Sequence, residues 1–188
     1  MPIRLHPIRT ALALSAVALL AACASGPAPM MAKPFMQDAL PATVQVPAGN
    51  KVFMETVGVG EITYECRAKA NMAGQFEWVF VGPDARLMDR AGKQVGKYYG
   101  PPATWESMDG SKLTGAQVAV APAAAGSIPL QLVKANPAMG MGAVAGTTYI
   151  QRVATQGGVA PAMTCDAAGM GKKQIVKYQA DYIFWKAA

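Results

Sequence analysis

The chain has 188 residues, 52% of them hydrophobic and 15% charged, with a formal net charge of +6. That length can bury a core, and one folded domain is the natural count. Lysines and arginines are scattered, with Lys172-Lys173 the only adjacent pair, so the basic stripe that nucleic-acid binding needs is missing and no such partner is expected.

The first nine residues carry Arg4 and Arg9, and Ala11 to Leu20 is an apolar run broken only by Ser15. A run of about ten residues is too short to span a bilayer, which takes roughly 20. A cationic start, a short apolar run and small residues before a cleavage point form a secretory signal. The run Leu20-Ala21-Ala22-Cys23 resembles a bacterial lipobox. Residues 1–22 are therefore expected to be a lipoprotein signal peptide, with Cys23 the lipid attachment site. Bacterial lipoproteins carry several acyl chains, and more than one chain is what stable anchoring takes. Ala24 follows the cysteine in place of the Asp that marks inner-membrane retention in many enteric lipoproteins. The expected location is the outer membrane, facing the periplasm.

Cleavage before Cys23 would remove His6, the only histidine. Ser-His-Asp and Cys-His catalysis, histidine zinc sites and histidine pH switching then leave the list. No metal or other cofactor is expected. Two cysteines remain, Cys66 and Cys165. In an oxidising compartment they read as a disulfide. A redox-active thiol pair is the alternative, disfavoured because the two are not in a C-x-x-C arrangement.

Residues 23–41, rich in Ala, Pro and Met, read as a flexible tether, and residues 42–188 as the folded domain. Ala42 to Val46 is the first strand candidate, closed by the turn signal Pro47-Ala48-Gly49-Asn50; Lys51 to Val57 follows. In Glu61 to Ala70, Ile62, Tyr64, Cys66 and Ala68 alternate with Thr63, Glu65, Arg67 and Lys69, which argues a half-buried strand. Gln75 to Val81 places Phe76, Trp78 and Phe80 together and pairs with it as a hairpin. Gly82-Pro83-Asp84 reads as a turn before a short strand at Arg86 to Met88. Leu113 to Val120, Ile128 to Lys134, Thr147 to Thr155 and Ile175 to Lys186 complete the set. The last sets Tyr178, Ala180, Tyr182 and Phe184 against Gln179, Asp181 and Ile183. Ala119 to Gly126 and Ala138 to Gly146 read as loops. Eight to eleven short strands predict an all-β domain, a single antiparallel sandwich or barrel.

The segment from Gly92 to Ser111 is the densest in functional residue types and reads as a Gly- and Pro-rich loop. Lys97, Tyr98, Tyr99, Trp105 and Glu106 there, with Arg152, are the candidate ligand-binding residues. Aromatic rings beside carboxylates suit a sugar, whose C–H faces stack and whose hydroxyls donate. Glu106 and Asp109 are weak candidates for a general acid and base, a role that depends on a carboxyl separation only a structure supplies. Against these stand plainer uses: Trp105 as a core plug, and Asp109-Gly110 as a hairpin turn. On strand parity Gln151 shares a face with Tyr149, and Ile150 with Arg152. An ion pair with Asp166 or Glu106 is one expected use of Arg152, anion binding the other. Met139-Gly140-Met141, Met163 and Met170 suit packing better than copper.

Several ordered motifs share one resemblance. They include Tyr64-Glu65-Cys66, Pro83-Asp84-Ala85, Thr104-Trp105-Glu106, Asp109-Gly110-Ser111-Lys112, Thr148-Tyr149-Ile150-Gln151-Arg152-Val153, Cys165-Asp166 and Tyr178-x-Ala180-Asp181-Tyr182-x-Phe184. Together they resemble the DUF3455 family from about Val44 to Trp185. The resemblance implies one compact secreted or anchored domain and names no substrate. The family's pattern has His-Tyr where this chain has Tyr98-Tyr99, and Trp where it has Leu130. The function expected is that of a non-catalytic envelope lipoprotein, a binding or structural β domain with a glycan, a small ligand or an envelope protein as its partner. The alternative is a carboxylate-dependent hydrolase acting on an envelope polysaccharide or ester.

Overall fold

Strands that alternate apolar and polar residues have one face to bury, and here they bury it by closing on themselves. The computed structural model describes Met1 and Phe35–Ala188. The expected signal peptide, Cys23 and the tether up to residue 34 lie outside the described residues. Eight strands follow in order: β1 (Asn50–Ala68), β2 (Phe76–Met88), β3 (Gln94–Tyr99), β4 (Thr104–Ser107), β5 (Lys112–Ala121), β6 (Leu130–Ala135), β7 (Thr147–Gly157) and β8 (Lys173–Ala187). Each pairs antiparallel with the next, and β8 returns to β1 from Asn50↔Ala187 to Glu65↔Lys173. The all-β expectation holds, and the architecture is a closed up-and-down barrel.

An eight-stranded barrel is just wide enough for side chains to fill. Ile62 and Tyr64 of β1, Leu87 of β2, Tyr98 of β3, Trp105 of β4, Leu113 of β5, Val133 of β6, Ile150 of β7 and Tyr178, Tyr182 and Phe184 of β8 form the interior cluster. Tyr98 stacks on Trp105 with ring centroids 4.8 Å apart, and Tyr182 lies 4.9 Å from Tyr98. Space for the Tyr182 ring comes from Gly58, where an added Cβ would stand 2.5 Å from the ring. Outward positions such as Glu61, Arg67 and Lys177 are exposed.

Three local readings are corrected. Ala42–Val44 is a turn of 3-10 helix and not part of a strand. Gly82-Pro83-Asp84 does not turn the chain: β2 runs straight through, with a register irregularity opposite Thr63 and Tyr64. A bulge is one of the few places where a strand tolerates proline. It also switches the inward parity, from Phe76 and Trp78 before it to Ala85 and Leu87 after it. The segment from Gly92 to Ser111 is mostly sheet: β3 and β4 pair through Tyr98↔Trp105 and Lys97↔Glu106. Two short strands interrupted by Gly100-Pro101-Pro102 leave little periodicity to read.

The residues from Phe35 to Pro41, assigned in sequence to the tether, lie against the barrel. Phe35, Leu40, Val44 and Val46 pack with Leu132, Val153, Ile183 and Trp185 on the outer side of β6, β7 and β8. These outward residues are apolar because a strap of the chain covers them. Gln37 acts as a surrogate strand for Val46: its Oε1 accepts from Val46 N at 2.7 Å, and its Nε2 donates to Val46 O at 3.0 Å. Gln151, fully buried beneath the strap, donates to Val44 O at 2.7 Å and accepts from Trp185 Nε1 at 2.9 Å. A buried amide left without such partners would cost about 1–3 kcal/mol per orphaned group.

The disulfide between Cys66 and Cys165 is present, with Cα atoms 5.5 Å apart and a sequence separation of 99. It ties the long β7–β8 connection to β1, and Trp78 Nε1 donates to Met163 O at 2.8 Å beside it. Closing so long a loop restricts the unfolded chain more than the folded one. Reduction is expected to lower the unfolding free energy by about 2–4 kcal/mol, measured as a shift in urea midpoint with and without dithiothreitol.

Candidate ligand site at the barrel mouth

Up-and-down topology gathers alternate connections at each end of the barrel. The β1–β2, β3–β4, β5–β6 and β7–β8 connections share one end, and the others share the opposite end with the start of β1. The opposite end is stoppered by the β6–β7 connection, whose Val144 is 2% exposed and belongs to the interior cluster. The first end is not filled. A cavity of about 370 Å³ opens there, at the lower end of the range that small-molecule sites occupy.

Its walls are the inward faces of β2 to β7. Tyr98 and Trp105 form one side, Phe80 stands at the rim, and Gln117, Gln131 and Arg152 supply the polar groups. Gln131 Nε2 donates to Gln117 Oε1 at 2.6 Å. Arg152 reaches the cavity because β7 alternates: Ile150 points into the core, Gln151 under the strap, and Arg152 inward again, one step nearer the mouth. Its Nε and Nη2 donate to Pro129 O at 3.2 and 2.9 Å. None of the ion pairs among the described residues involves Arg152, so the pairing with Asp166 or Glu106 weighed from sequence is not formed. Burial raises the hydroxyl pKa of Tyr98, Tyr178 and Tyr182, and the Arg152 charge opposes that rise in all three. All three phenols are neutral at physiological pH. Trp105 Nε1 is buried and has no hydrogen-bond partner.

Of the six candidate binding residues, the fold therefore brings three to one place: Tyr98, Trp105 and Arg152. The other three face outward on β3 and β4 and satisfy one another. Tyr99 Oη donates to Glu106 Oε2 at 2.7 Å, Lys97 Nζ lies 3.4 Å from Glu106 Oε1, and the same ammonium sits 5.3 Å above the Tyr99 ring. Hydrogen bonding from Tyr99, then the charge of Lys97, holds the Glu106 carboxyl below its ordinary range. Asp109 sits in the turn between β4 and β5 at the stoppered end. Its Oδ1 accepts from Ser111 Oγ at 2.6 Å and from Ser111 N at 2.9 Å, while Oδ2 accepts from Ala143 N at 2.7 Å. These bonds, that from the Ser111 hydroxyl foremost, pull its pKa to about 2. A general acid at neutral pH needs a raised pKa, and both carboxyls are shifted the opposite way. Asp109 instead latches the β6–β7 stopper to the β4–β5 turn.

Trp105 is 1% exposed, so the core-plug reading describes its packing even though one side of it lines the cavity. Phe80, Gln117 and Gln131 were not singled out from sequence. Their signal is positional: Gln117 has the inward parity of Leu113, and Gln131 that of Val133, which becomes visible only once the register is known. Among the described residues no three His, Cys, Asp or Glu side chains are grouped so as to hold a metal ion.

The latch has a pH signature. The folded pKa of Asp109 is about 2 against an unfolded value near 3.9, so its contribution is complete above about pH 4 and is lost as pH falls towards 2. Asp109→Asn is expected to lower stability at neutral pH and to flatten that acid limb, the two proteins converging near pH 2 in urea midpoints measured across the range.

A family model described as "Protein of unknown function (DUF3455)" matches residues 47–186, which is nearly the whole barrel from the end of the strap to the end of β8. No curated protein matches the chain. No solved structure matches it either. The match spans well over half of the chain and every strand of the barrel, and the chain belongs to the DUF3455 family.

Proposed function

We propose that this chain is a lipid-anchored protein of the bacterial envelope whose barrel mouth binds a small ligand without chemistry. The observation that carries the binding reading is a mouth cavity in which Arg152, which has no ion-pair partner among the described residues, lies beside aromatic walls. A buried or half-buried charge is costly unless something compensates it, and a cavity that holds one beside apolar surface suits a small molecule more than a protein partner. The site is a concave pocket at the end of the barrel, which suits a small molecule better than a polysaccharide chain, while Lys97, Tyr99 and Glu106 lie outside it and bond to one another. The hydrolase alternative has less support, because Glu106 and Asp109 are each committed to structural partners and held ionised.

Support for the location comes from Arg4, Arg9, the apolar run and the Ala21-Ala22-Cys23 junction. The Cys66–Cys165 bridge adds to it, since disulfides persist in oxidising compartments. Outer-membrane attachment facing the periplasm is the part of the proposal that rests on Ala24. Expressed in a bacterium fed radiolabelled palmitate, the full-length protein is expected to take up label, and the Cys23→Ser variant none; label on both, or on neither, overturns the anchor.

The cavity is tested with N-phenyl-1-naphthylamine, a neutral fluorophore that brightens in apolar surroundings. The expected result is saturable enhancement in the native protein and its loss in Gln131→Trp, which places an indole at the mouth on a strand that favours aromatic residues. Equal enhancement in a folded Gln131→Trp protein overturns the reading.

A further inference from the structure

The polar groups at the mouth are not a neutral set. Among the described residues Arg152 is the only cation lining the cavity, and no carboxylate lines it. A guanidinium has five N–H donors; one on Nε and one on Nη2 serve Pro129 O, which leaves both on Nη1 and one on Nη2. With Gln131 donating to Gln117 Oε1, the Gln117 amide N–H groups remain as further donors at the rim. Below these donors the wall is apolar: the Tyr98–Trp105 stack, Val133 and Ala103. Phe80, half exposed, stands edge-on to Tyr64 at 6.1 Å and closes one side.

We propose that the ligand of this cavity is a monocarboxylate on a flat apolar body, its carboxylate on Arg152 and its body against Tyr98, Trp105 and Phe80. The inference rests on the binding reading above and adds the chemical class. A planar carboxylate matches the planar fork of an arginine, which gives direction as well as charge. One cation balances one negative charge, and a phosphate ester with up to two would leave charge uncompensated in a narrow, partly apolar site. The flat body follows from the walls, since aromatic rings favour offset-stacked and edge-to-face partners. The field of Arg152 already reaches Tyr64, Tyr98, Tyr178 and Tyr182, whose hydroxyl pKa values it lowers against the effect of burial.

The test is calorimetric titration of the purified domain with benzoate, benzamide and acetate at neutral pH. Benzamide has the shape of benzoate without the charge, and acetate has the charge without the ring. Benzoate is expected to bind about tenfold or more tighter than benzamide, the range for hydrogen bonds to a charged group, and tighter than acetate. In Arg152→Gln the benzoate advantage disappears while benzamide binding persists. Because Arg152 also holds the Pro129 carbonyl, Arg152→Lys is the second variant: it keeps the charge but loses the fork, and an intermediate advantage is expected. Equal affinity for benzoate and benzamide in the native protein overturns the proposal, as does an advantage that survives in Arg152→Gln. Binding of acetate as tight as benzoate removes the apolar body from it. If N-phenyl-1-naphthylamine binds and benzoate does not, the carboxylate inference fails while the binding reading stands; if neither binds, the binding reading itself fails.

Discussion

Closure of the sheet between β1 and β8 is the constraint on which everything else depends. Two long strands, Asn50–Ala68 and Lys173–Ala187, run antiparallel along almost their whole lengths. Their pairing removes both edges of an eight-stranded meander, and with them the exposed rows of N–H and C=O groups that edges present. It also turns one face of the sheet into an interior. Arg90, from the connection after β2, spans the same seam outside, 2.8 Å from Glu55 on β1 and 2.8 Å from Asp181 on β8. Such exposed pairs contribute little individually; the ladder of backbone bonds and the buried rings carry the closure. Fully buried Tyr182 and Phe184 each add apolar burial on the scale of about 1.5–3 kcal/mol.

Once the ring is closed, its two ends become different. The β6–β7 connection is drawn into one end by Val144 and fastened there by Asp109. At the other end the disulfide and the Trp78 bond hold the β7–β8 connection against β1, beside the opening and not across it. The cavity is what remains at the open end above the large rings of the interior. The outer wall follows the same logic of covering what water would penalise. Ile183 and Trp185 face away from the interior, and the strap from Phe35 to Val46 covers them, with Gln37 and Gln151 supplying hydrogen bonds for the strap's own backbone.

Alternation made much of this legible. In β1 and β8 most of the residues named from parity as one face fill the barrel: Ile62, Tyr64, Tyr178, Ala180, Tyr182 and Phe184; of the other two, Cys66 is taken up by the disulfide and Ala68, at the end of β1, is exposed. The parity of Ile150, Gln151 and Arg152 was also readable, and it is why Arg152 reaches the mouth. What parity cannot cross is a bulge. At Gly82-Pro83 the strand continues while the signal says turn, and the faces exchange. Short strands defeat it too: β4 is four residues long, and Trp105 and Glu106 within it look alike as functional residues though one is core and the other surface. The candidate set divided along that line. Tyr98, Trp105 and Arg152 point in, while Lys97, Tyr99 and Glu106 point out, and no local pattern says which neighbour of a Tyr-Tyr pair turns inward.

By itself the sequence determined the all-β class, most of the inward faces of β1 and β8, the candidacy of Cys66 and Cys165 for a disulfide and the absence of histidine beyond His6. These are local or countable properties, set by a period of two and by an inventory of residue types. The tertiary structure alone decided that the sheet closes into a barrel, that one end is stoppered and the other open, and that Arg152, outside every ion pair among the described residues, lies beside Tyr98 and Trp105 while Glu106 and Asp109 are occupied elsewhere. Those facts depend on the register between strands distant in sequence, and register is fixed by the closure of the whole ring.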